Sequence, residues 1–480
     1  MKEQDQKSMI WIAIVTVMLM ELLIFGGWGI AVPIAVIIYY VLILWQSKML
    51  NIKQSIRVNI LLIPIVMTAL CFVFFDNVVL KFFNIIFLYG LIILHTSEQF
   101  GINRFEMLSI GWFSEIFPIG IGMPLENALE PINVVKKEME ESTKNSTNVF
   151  FKILIGLVIG LPIVFIATIL LMNTDVAFKS IIVLIFEKLD FDLGWILGRI
   201  IFFIVIFFPL YGFFYGLRNK KENTNEQKEK RKIQIFDFII VITVTCSLGA
   251  VYMMYCLSQL TYFVSAFKGI LPVDYTFAGY ARKGFFECIP LGIINLIFII
   301  VLTLFTRTEG SKKKINCIKG CTYYLVVFTL FLVISAFSKM WLYISVYGIT
   351  IMRVYVSWFL IFGCITLIFI GIKTYYSKFK LTKNIFIVFT IMFLGLNYAN
   401  IDYRIGEYDA DFYMTEKVDT VSAFEDLSDS ALESLIKISK IDTKENKRMV
   451  NKYKNRIYGK TKWQEWNIAN YNAKKTFENR

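Results

Sequence analysis

The chain has a single histidine, His95, seven cysteines in 480 residues, and no recognisable reaction motif. Cys71, Cys246, Cys256, Cys288, Cys321 and Cys364 lie in or at the ends of apolar runs and Cys317 in a basic loop, so no disulfide framework is implied. Cys317 and Cys321 form a C-x-x-x-C spacing with no second pair or histidine, which speaks against zinc. No metal ligand set, no cofactor and no catalytic residue is expected from these residues. What the chain has in excess is hydrocarbon. It is 57% hydrophobic and 16% aromatic, where an ordinary soluble chain is roughly 45 to 50% apolar, and its mean hydropathy is +0.61. That composition specifies an integral membrane protein.

Apolar runs long enough to cross a bilayer, about 20 residues each, fall near 9–25, 30–45, 56–75, 78–95, 149–172, 194–217, 236–262, 285–305, 320–344, 350–372 and 384–400. The expected fold is all-α, a polytopic transmembrane bundle of about eleven spans. The first run has no small-residue cleavage site behind it and leads through Gly26-Gly27-Trp28-Gly29 into the second, so it reads as an uncleaved span. The expected domains are a four-span block 1–95, an interfacial or re-entrant segment 96–148, a seven-span core 149–400 and a helical extracytoplasmic tail 401–480.

Cytoplasmic loops retain lysine and arginine. With the N-terminus inside, Lys48, Lys53, Arg57, Lys136, Lys137, Lys144, the run Arg218 to Lys232, the run Arg307 to Lys314, and Lys373, Lys378, Lys380 and Lys383 all face in. The C-terminus then faces out, with the chain in the cytoplasmic membrane. The net charge of +13 would sit on the inner face against anionic lipid head groups. Membrane lipids therefore account for it without nucleic acid.

Three stretches break the rhythm. "GWFSEIFPIGIGMPLENALEPI" is aromatic and rich in glycine and proline, as a re-entrant hairpin or an interfacial helix requires. Gly120 and Gly122 make only half of a phosphate-binding fingerprint. "AFKSIIVLIFEKLDFD" is too short and charged to cross, which suits an outer interfacial helix. Gly156 with Gly160, and Gly212 with Gly216, have the spacing that lets helix backbones approach. After Asn400 the tail reads as short helices, with Ser430 and Glu433 as a capping box. Leu432, Leu435 and Ile436 make one apolar stripe, and Met449, Val450, Tyr453 and Ile457 another. The tail is expected to act as a lid or a packing element.

Charge within a span costs roughly 2.5 to 3.5 kcal/mol on the insertion scale, so Glu21, Arg199, Glu287, Lys339 and Arg353 need a reason. The topology places all five near the outer surface. Glu287 at a helix start is favoured by the dipole, and Lys283 can pair with it four residues away, while Arg282 is left over. One reading makes these charges interhelical ion pairs and snorkelling side chains. The other makes them an outward polar vestibule for an anionic ligand, lined by Tyr280, Tyr343 and Tyr347. Trp112, Trp341 and Trp358 read as belt or packing residues.

From Phe236 onward "YARKGFFE", "KMWLYISVYGITIMRVY", "NYANIDYRIGEYD", "DLSDSALESLIKI" and "WQEWNIANYN" carry a resemblance. The chain resembles bacterial multi-pass membrane proteins of the DUF 4173 / DUF 4153 type, with Lys339 where that family suggests an arginine. The resemblance implies the fold and supplies no activity, substrate or catalytic residue. Three functions stay open. The first is transport, flipping or binding of an anionic lipid or amphiphile, with Tyr280, Arg282, Glu287, Tyr343, Tyr347, Arg353, Arg199 and Glu21 as ligand-binding candidates. The second is a non-enzymatic sensory or accessory envelope protein with a membrane-protein partner. The third is a membrane enzyme on a lipid-linked substrate with Glu21 or Glu287 as base, which lacks a paired acid of defined spacing.

Overall fold

In the computed structural model the described residues are 2–53, 55–142, 160, 164, 167–168, 170–188, 193–219, 235–267, 277–307, 310–416, 421–439 and 444–479. They are mainly helical, with one isolated parallel bridge, Phe236 to Thr306, and no strand among them. Among the described residues, nine helices are long and apolar enough to cross a membrane. They correspond to nine of the eleven expected runs. The run at 149–172 lies largely outside the described residues. The run at 285–305 belongs to a longer helix of which Pro290–Phe305 is a shorter apolar piece. The chain forms two compact units, one of Met1–Val73, Phe83–Asn225 and Lys462–Trp466, the other of Phe74–Phe82, Glu226–Thr461 and Asn467–Arg480.

In the first unit, α1 (Lys2–Leu19) runs into a π-helical turn, Met20–Ile24. It is followed by α2 (Ala31–Met49), the short α3 (Ile56–Asn59), α4 (Leu62–Phe74) and α5 (Val78–Gln99). Next come α6 (Ile110–Ser114), a second π turn at Pro118–Gly122, α7 (Met123–Glu126) and α8 (Glu130–Ser142). Then α9 (Val176–Lys188), started by the Asp175 carboxylate accepting from Ala177 N at 2.7 Å, leads to α10 (Leu193–Asn219). The core joins Met9, Ile12 and Val15 of α1, Leu42 and Ile43 of α2, Ile93 of α5, Ile119, Met123, and Phe207, Tyr211 and Phe214 of α10. The outward faces of α2 and α5, including Ile37, Val41 and Phe82, stay exposed, as lipid-facing positions of a span do.

The irregular segment after α5 packs deep. Tyr89 OH donates to Gly120 O at 2.7 Å, and Tyr89 lies ten residues before the end of α5. At about 1.5 Å per residue that is about 15 Å along the helix. The partner of Gly212 and Gly216 is this segment rather than another long helix. A Cβ on Gly212 would meet Pro124 O at 2.4 Å, and one on Gly216 would meet Met123 Cγ at 2.4 Å. Only glycine admits so close a backbone.

The second unit holds α11 (Phe238–Phe267), α12 (Phe277–Ile300) with its π extension Val301–Phe305, α13 (Lys312–Tyr347), α14 (Ile351–Tyr375) and α15 (Leu381–Tyr398). A buried chain of hydrogen bonds ties three of them. Tyr252 OH donates to Asn295 Oδ1 at 2.7 Å, and Asn295 Nδ2 donates to Thr329 Oγ1 at 2.8 Å. Because α12 begins at Phe277, Arg282, Lys283 and Glu287 lie inside the helix. The expected benefit of Glu287 at a helix start does not hold, since the dipole acts within the first turn.

Beyond α15 come α16 (Ile401–Glu416), α17 (Leu432–Ser439), α18 (Lys444–Gly459) and α19 (Ile468–Glu478). Their core, with Phe424, Leu427, Leu435, Tyr453 and Ile457 fully buried, also takes in Leu80 and Ile351. Tyr453 OH donates to both Phe424 O and Leu427 O, at 2.9 and 3.1 Å. Ser430 is not the cap of α17, because a 3₁₀ turn, Asp429–Ala431, precedes that helix and Ser428 stands before it.

Candidate functional site

Within the first unit, α1, α2, α5, α10 and the segment around α7 enclose a half-open cavity of about 570 Å³. Helix irregularities shape it. Leu23 and Ile24 come from the first π turn, Gly120 from the second, Pro124 from α7, and Pro209 from inside α10. A π turn widens a helix by one residue and recurs at functional sites, and a proline frees a carbonyl and bends its helix. The remaining wall is apolar, with Trp28, Val32 and Ala35 of the second span's approach and Leu88 and Ile92 of α5. Among the described residues Tyr39 and Tyr89 are the two lining hydroxyls, and no lining residue is charged. The volume is that of a small-molecule site, and apolar walls with few polar groups are its usual composition.

Glu21 lies on the first π turn and Arg199 on α10, so their pairing links two walls of the cavity. Arg199 Nε and Nη2 donate to Glu21 Oε1 and Oε2 at 2.6 and 2.9 Å, a bidentate pair. The guanidinium also stacks on Trp195 at 3.5 Å and faces Phe25 at 4.4 Å. In the second unit, Arg353 Nη1 donates to Tyr347 O and Gly348 O at 3.0 and 2.5 Å and its guanidinium lies 4.0 Å from the Tyr343 ring. Tyr343 and Tyr347 make an edge-to-face pair at 5.3 Å. Arg353 thereby closes the turn between α13 and α14, where Gly348 takes a φ of 75°. Asp409 of α16 completes that turn by accepting from Ile349 N at 2.8 Å. Burial raises the Asp409 carboxyl to about 7, against the opposing pull of Ile349 N–H and Arg353. Lys339 is buried. The side chains of Tyr280, Arg282 and Glu287 lie outside the described residues. The structure thus joins Glu21 to Arg199, and Arg353 to Tyr343 and Tyr347, within separate units.

A second polar constellation, in the second unit, involves residues that the sequence did not single out. Asp76 accepts from Lys81 Nζ at 2.6 Å and Asn467 Nδ2 at 3.2 Å, and pairs with Lys460. Lys460 Nζ also donates to Asp429 Oδ2 at 2.8 Å, and Asp429 Oδ1 accepts from Arg456 Nε at 2.7 Å. Asn470 Nδ2 adds a further bond to Asp429 at 3.0 Å. Burial by itself would raise the Asp429 carboxyl, but Lys460 and Arg456 outweigh it and hold the group below its ordinary value. Asp402 goes the other way. Burial raises it despite hydrogen bonds from Ser428 and Asn77, and the Asp76 charge adds to the effect. Asn77 Nδ2 donates to Asp402 Oδ1 at 2.7 Å, and Tyr355 OH donates to Asn77 Oδ1 at 3.0 Å. Acids and bases here are matched to one another, as in a structural network.

No group of histidine, cysteine and acidic side chains among the described residues is placed to hold a metal ion. No curated protein and no solved structure matches the chain. The family described as "Domain of unknown function (DUF4153)" matches residues 62–438. That span takes in most of the second unit, α5, the π turn that holds Gly120, and Pro209 of α10, so the chain belongs to the DUF4153 family and is a multi-pass membrane protein.

Proposed function

We propose that the protein binds, and passes between membrane compartments, an amphiphile whose hydrocarbon part occupies the cavity of the first unit. The observation that carries this reading is an uncharged cavity of about 570 Å³ bounded by two π turns and Pro209. Broken helices at depth are where membrane transporters build their sites, since irregular backbone survives there only when it lines a cavity. The hairpin reaching Tyr89 supports the re-entrant form of segment 96–148 over an interfacial helix. Arg199 is matched by Glu21 and Arg353 by backbone carbonyls, so the geometry favours their role as structural pairs over that of anion ligands.

The experiment is native mass spectrometry of protein purified in a mild detergent, with Ala35→Phe and Ile206→Trp as cavity-filling variants on opposite walls. The wild type should retain about one amphiphile per chain. Both variants should lose most of it, roughly ten-fold, at a melting temperature close to the wild type's, since a filled pocket excludes its guest. Wild-type protein free of amphiphile, or variants that retain it equally, would overturn the reading.

The distribution of cations supports a cytoplasmic-membrane location with the N-terminus inside and residues beyond Tyr398 outside. Alkaline phosphatase fused at Asp429 should be active and the same fusion at Asn225 silent; the reverse pattern removes this orientation.

A further inference from the structure

Tyr39 of α2 and Ile93 of α5 line the cavity, and past them along the two helices come buried polar side chains that do not line it themselves. Tyr39 OH lies 3.1 Å from Thr96 Oγ1, and its neighbour Tyr40 OH lies 3.3 Å from His95 Nδ1. These bonds join α2 to α5. Gln46 and Ser47 follow Tyr39 and Tyr40 by seven residues on α2, and Gln99 follows His95 by four on α5, so each repeats on the same helix face. Gln46 is 0% exposed, Ser47 3%, His95 3% and Gln99 7%. Each nevertheless carries a buried atom without a hydrogen-bond partner: Gln46 Oε1, Ser47 Oγ, His95 Nε2, and both Oε1 and Nε2 of Gln99.

A buried polar atom left unpaired is a rarity that asks for an occupant. Here donors and acceptors are mixed along one seam, and none of these side chains is a lysine, arginine, aspartate or glutamate. The nearby carboxylate of Glu98 is engaged by Asn103 Nδ2 and by Trp112 Nε1, at 2.5 and 2.9 Å. An ionic group placed here would meet no opposite charge on the seam, and burying an unpaired ion is costly. A group with several hydroxyls or amides would satisfy the open atoms one by one.

Building on the cavity reading, we infer that the seam of Gln46, Ser47, His95 and Gln99 receives an uncharged, hydrogen-bonding head group of polyol or amide type, with the attached chain in the cavity. The amphiphile is therefore selected by hydroxyl or amide chemistry and against charge. Sites that hydrogen-bond a ligand hydroxyl reject analogues that lack it far more strongly than apolar pockets sort by size.

Trp28 lines the cavity, which supplies the readout. Full-length protein in a zwitterionic nanodisc is titrated with three brominated amphiphiles of equal chain length, bearing a maltoside, a carboxylate or a trimethylammonium head. Quenching is taken as the difference between wild type and Trp28→Phe. The maltoside should half-saturate at a concentration at least about ten-fold below either charged probe. His95→Leu combined with Gln99→Leu should raise the maltoside value about ten-fold and leave the charged probes unchanged. Gln46→Leu, on the other helix, should act in the same direction, which separates a lost contact from a misfolded α5. Equal half-saturation for all three heads, or a maltoside preference that survives the substitutions, would overturn the head-group inference and leave water as the seam's occupant, with the cavity reading intact. Absence of saturable quenching by any probe would instead overturn the cavity reading itself.

Discussion

The two units deal with buried polarity in opposite ways. In the second unit, the acids and bases around Asp76 and Asp429 are matched pair by pair, and Asp402 is enclosed by Asn77 and Ser428. In the first unit, the neutral side chains of the α2 and α5 seam are just as buried, yet Gln46, Ser47, His95 and Gln99 keep open atoms. Charge matched to charge fixes a geometry, with Arg456 Nη2 and Ser428 Oγ left open around it. Unmatched neutral groups do the reverse.

The strongest way to break this comparison is to unmatch the second unit. Asp429→Ala leaves Lys460 and Arg456 partly buried with one acceptor fewer, and removing one member of a buried ion network costs roughly 3 to 5 kcal/mol. Thermal melting in detergent should show a drop of that size, well beyond that of any substitution at Glu21 or Arg199. A drop smaller than that of an exposed-surface substitution would mean that the network is not structural.

Asp409→Asn sharpens it. Asp409 is fully buried and its folded-state carboxyl is raised to about 7, above the ordinary value of 3.8. Between those values the folded chain holds a proton that the unfolded chain has released. Stability contributed by this group therefore falls as pH rises from about 4 to about 7, and the loss is complete above 7. The asparagine can still accept from Ile349 N without ionising. It should be more stable than wild type at pH 8 by on the order of 2 to 4 kcal/mol and indistinguishable at pH 4. Melting curves across that range that run parallel for the two proteins would contradict the assignment.

The smallest effect belongs to the pair in the first unit. Glu21 and Arg199 side chains are 39% and 21% exposed, so solvent screens them. Glu21→Gln should cost about 1 kcal/mol or less, and a double cycle with Arg199→Gln should recover most of it. A loss as large as that of Asp429→Ala would show that the pair holds the cavity walls together.

The sequence told much of this and missed the rest for physical reasons. Nine of the eleven spans expected from hydropathy are helices long and apolar enough to cross among the described residues, as a backbone satisfied within its own segment requires in lipid. The need for partners at Glu21 and Arg199 was visible, but not that they pair with each other across 178 positions. Gly212 and Gly216 signalled close approach, yet their spacing could not say that the partner is a short turn at Met123 and Pro124. The helix carrying Glu287 starts earlier than hydropathy implied, because Phe277 to Glu287 is helical without being apolar enough to score as membrane. The Asp76 and Asp429 network was missed because Asp76 and Lys81 lie between and within apolar runs while Asp429, Arg456 and Lys460 sit in polar segments that read as solvated surface. One trace was there: Arg456 in the last turn of α18 and Lys460 just past its end are four residues apart. The stretch that holds Gly120 and Pro124 stood out as irregular, but the cavity it lines did not, since π turns are not encoded by periodicity.

The turn between α1 and α2 shows a further consequence. Its three glycines form a flat seat for residues 462–466. A Cβ on Gly29 would strike the backbone of Glu465 and Trp466 at 2.5 Å, Gly27 holds a φ of +131° against Glu465, and Ile30 N donates to Trp466 O at 3.0 Å. A ribosome builds this seat among its first thirty residues and its occupant more than four hundred residues later. The first unit is therefore completed only by a stretch of chain, Lys462–Trp466, made more than four hundred residues after the glycine turn. Contacts of such long range form slowly, because closing a long loop costs entropy before any contact rewards it. Any membrane factor that shields the seat during synthesis would have to leave before Lys462 to Trp466 could dock.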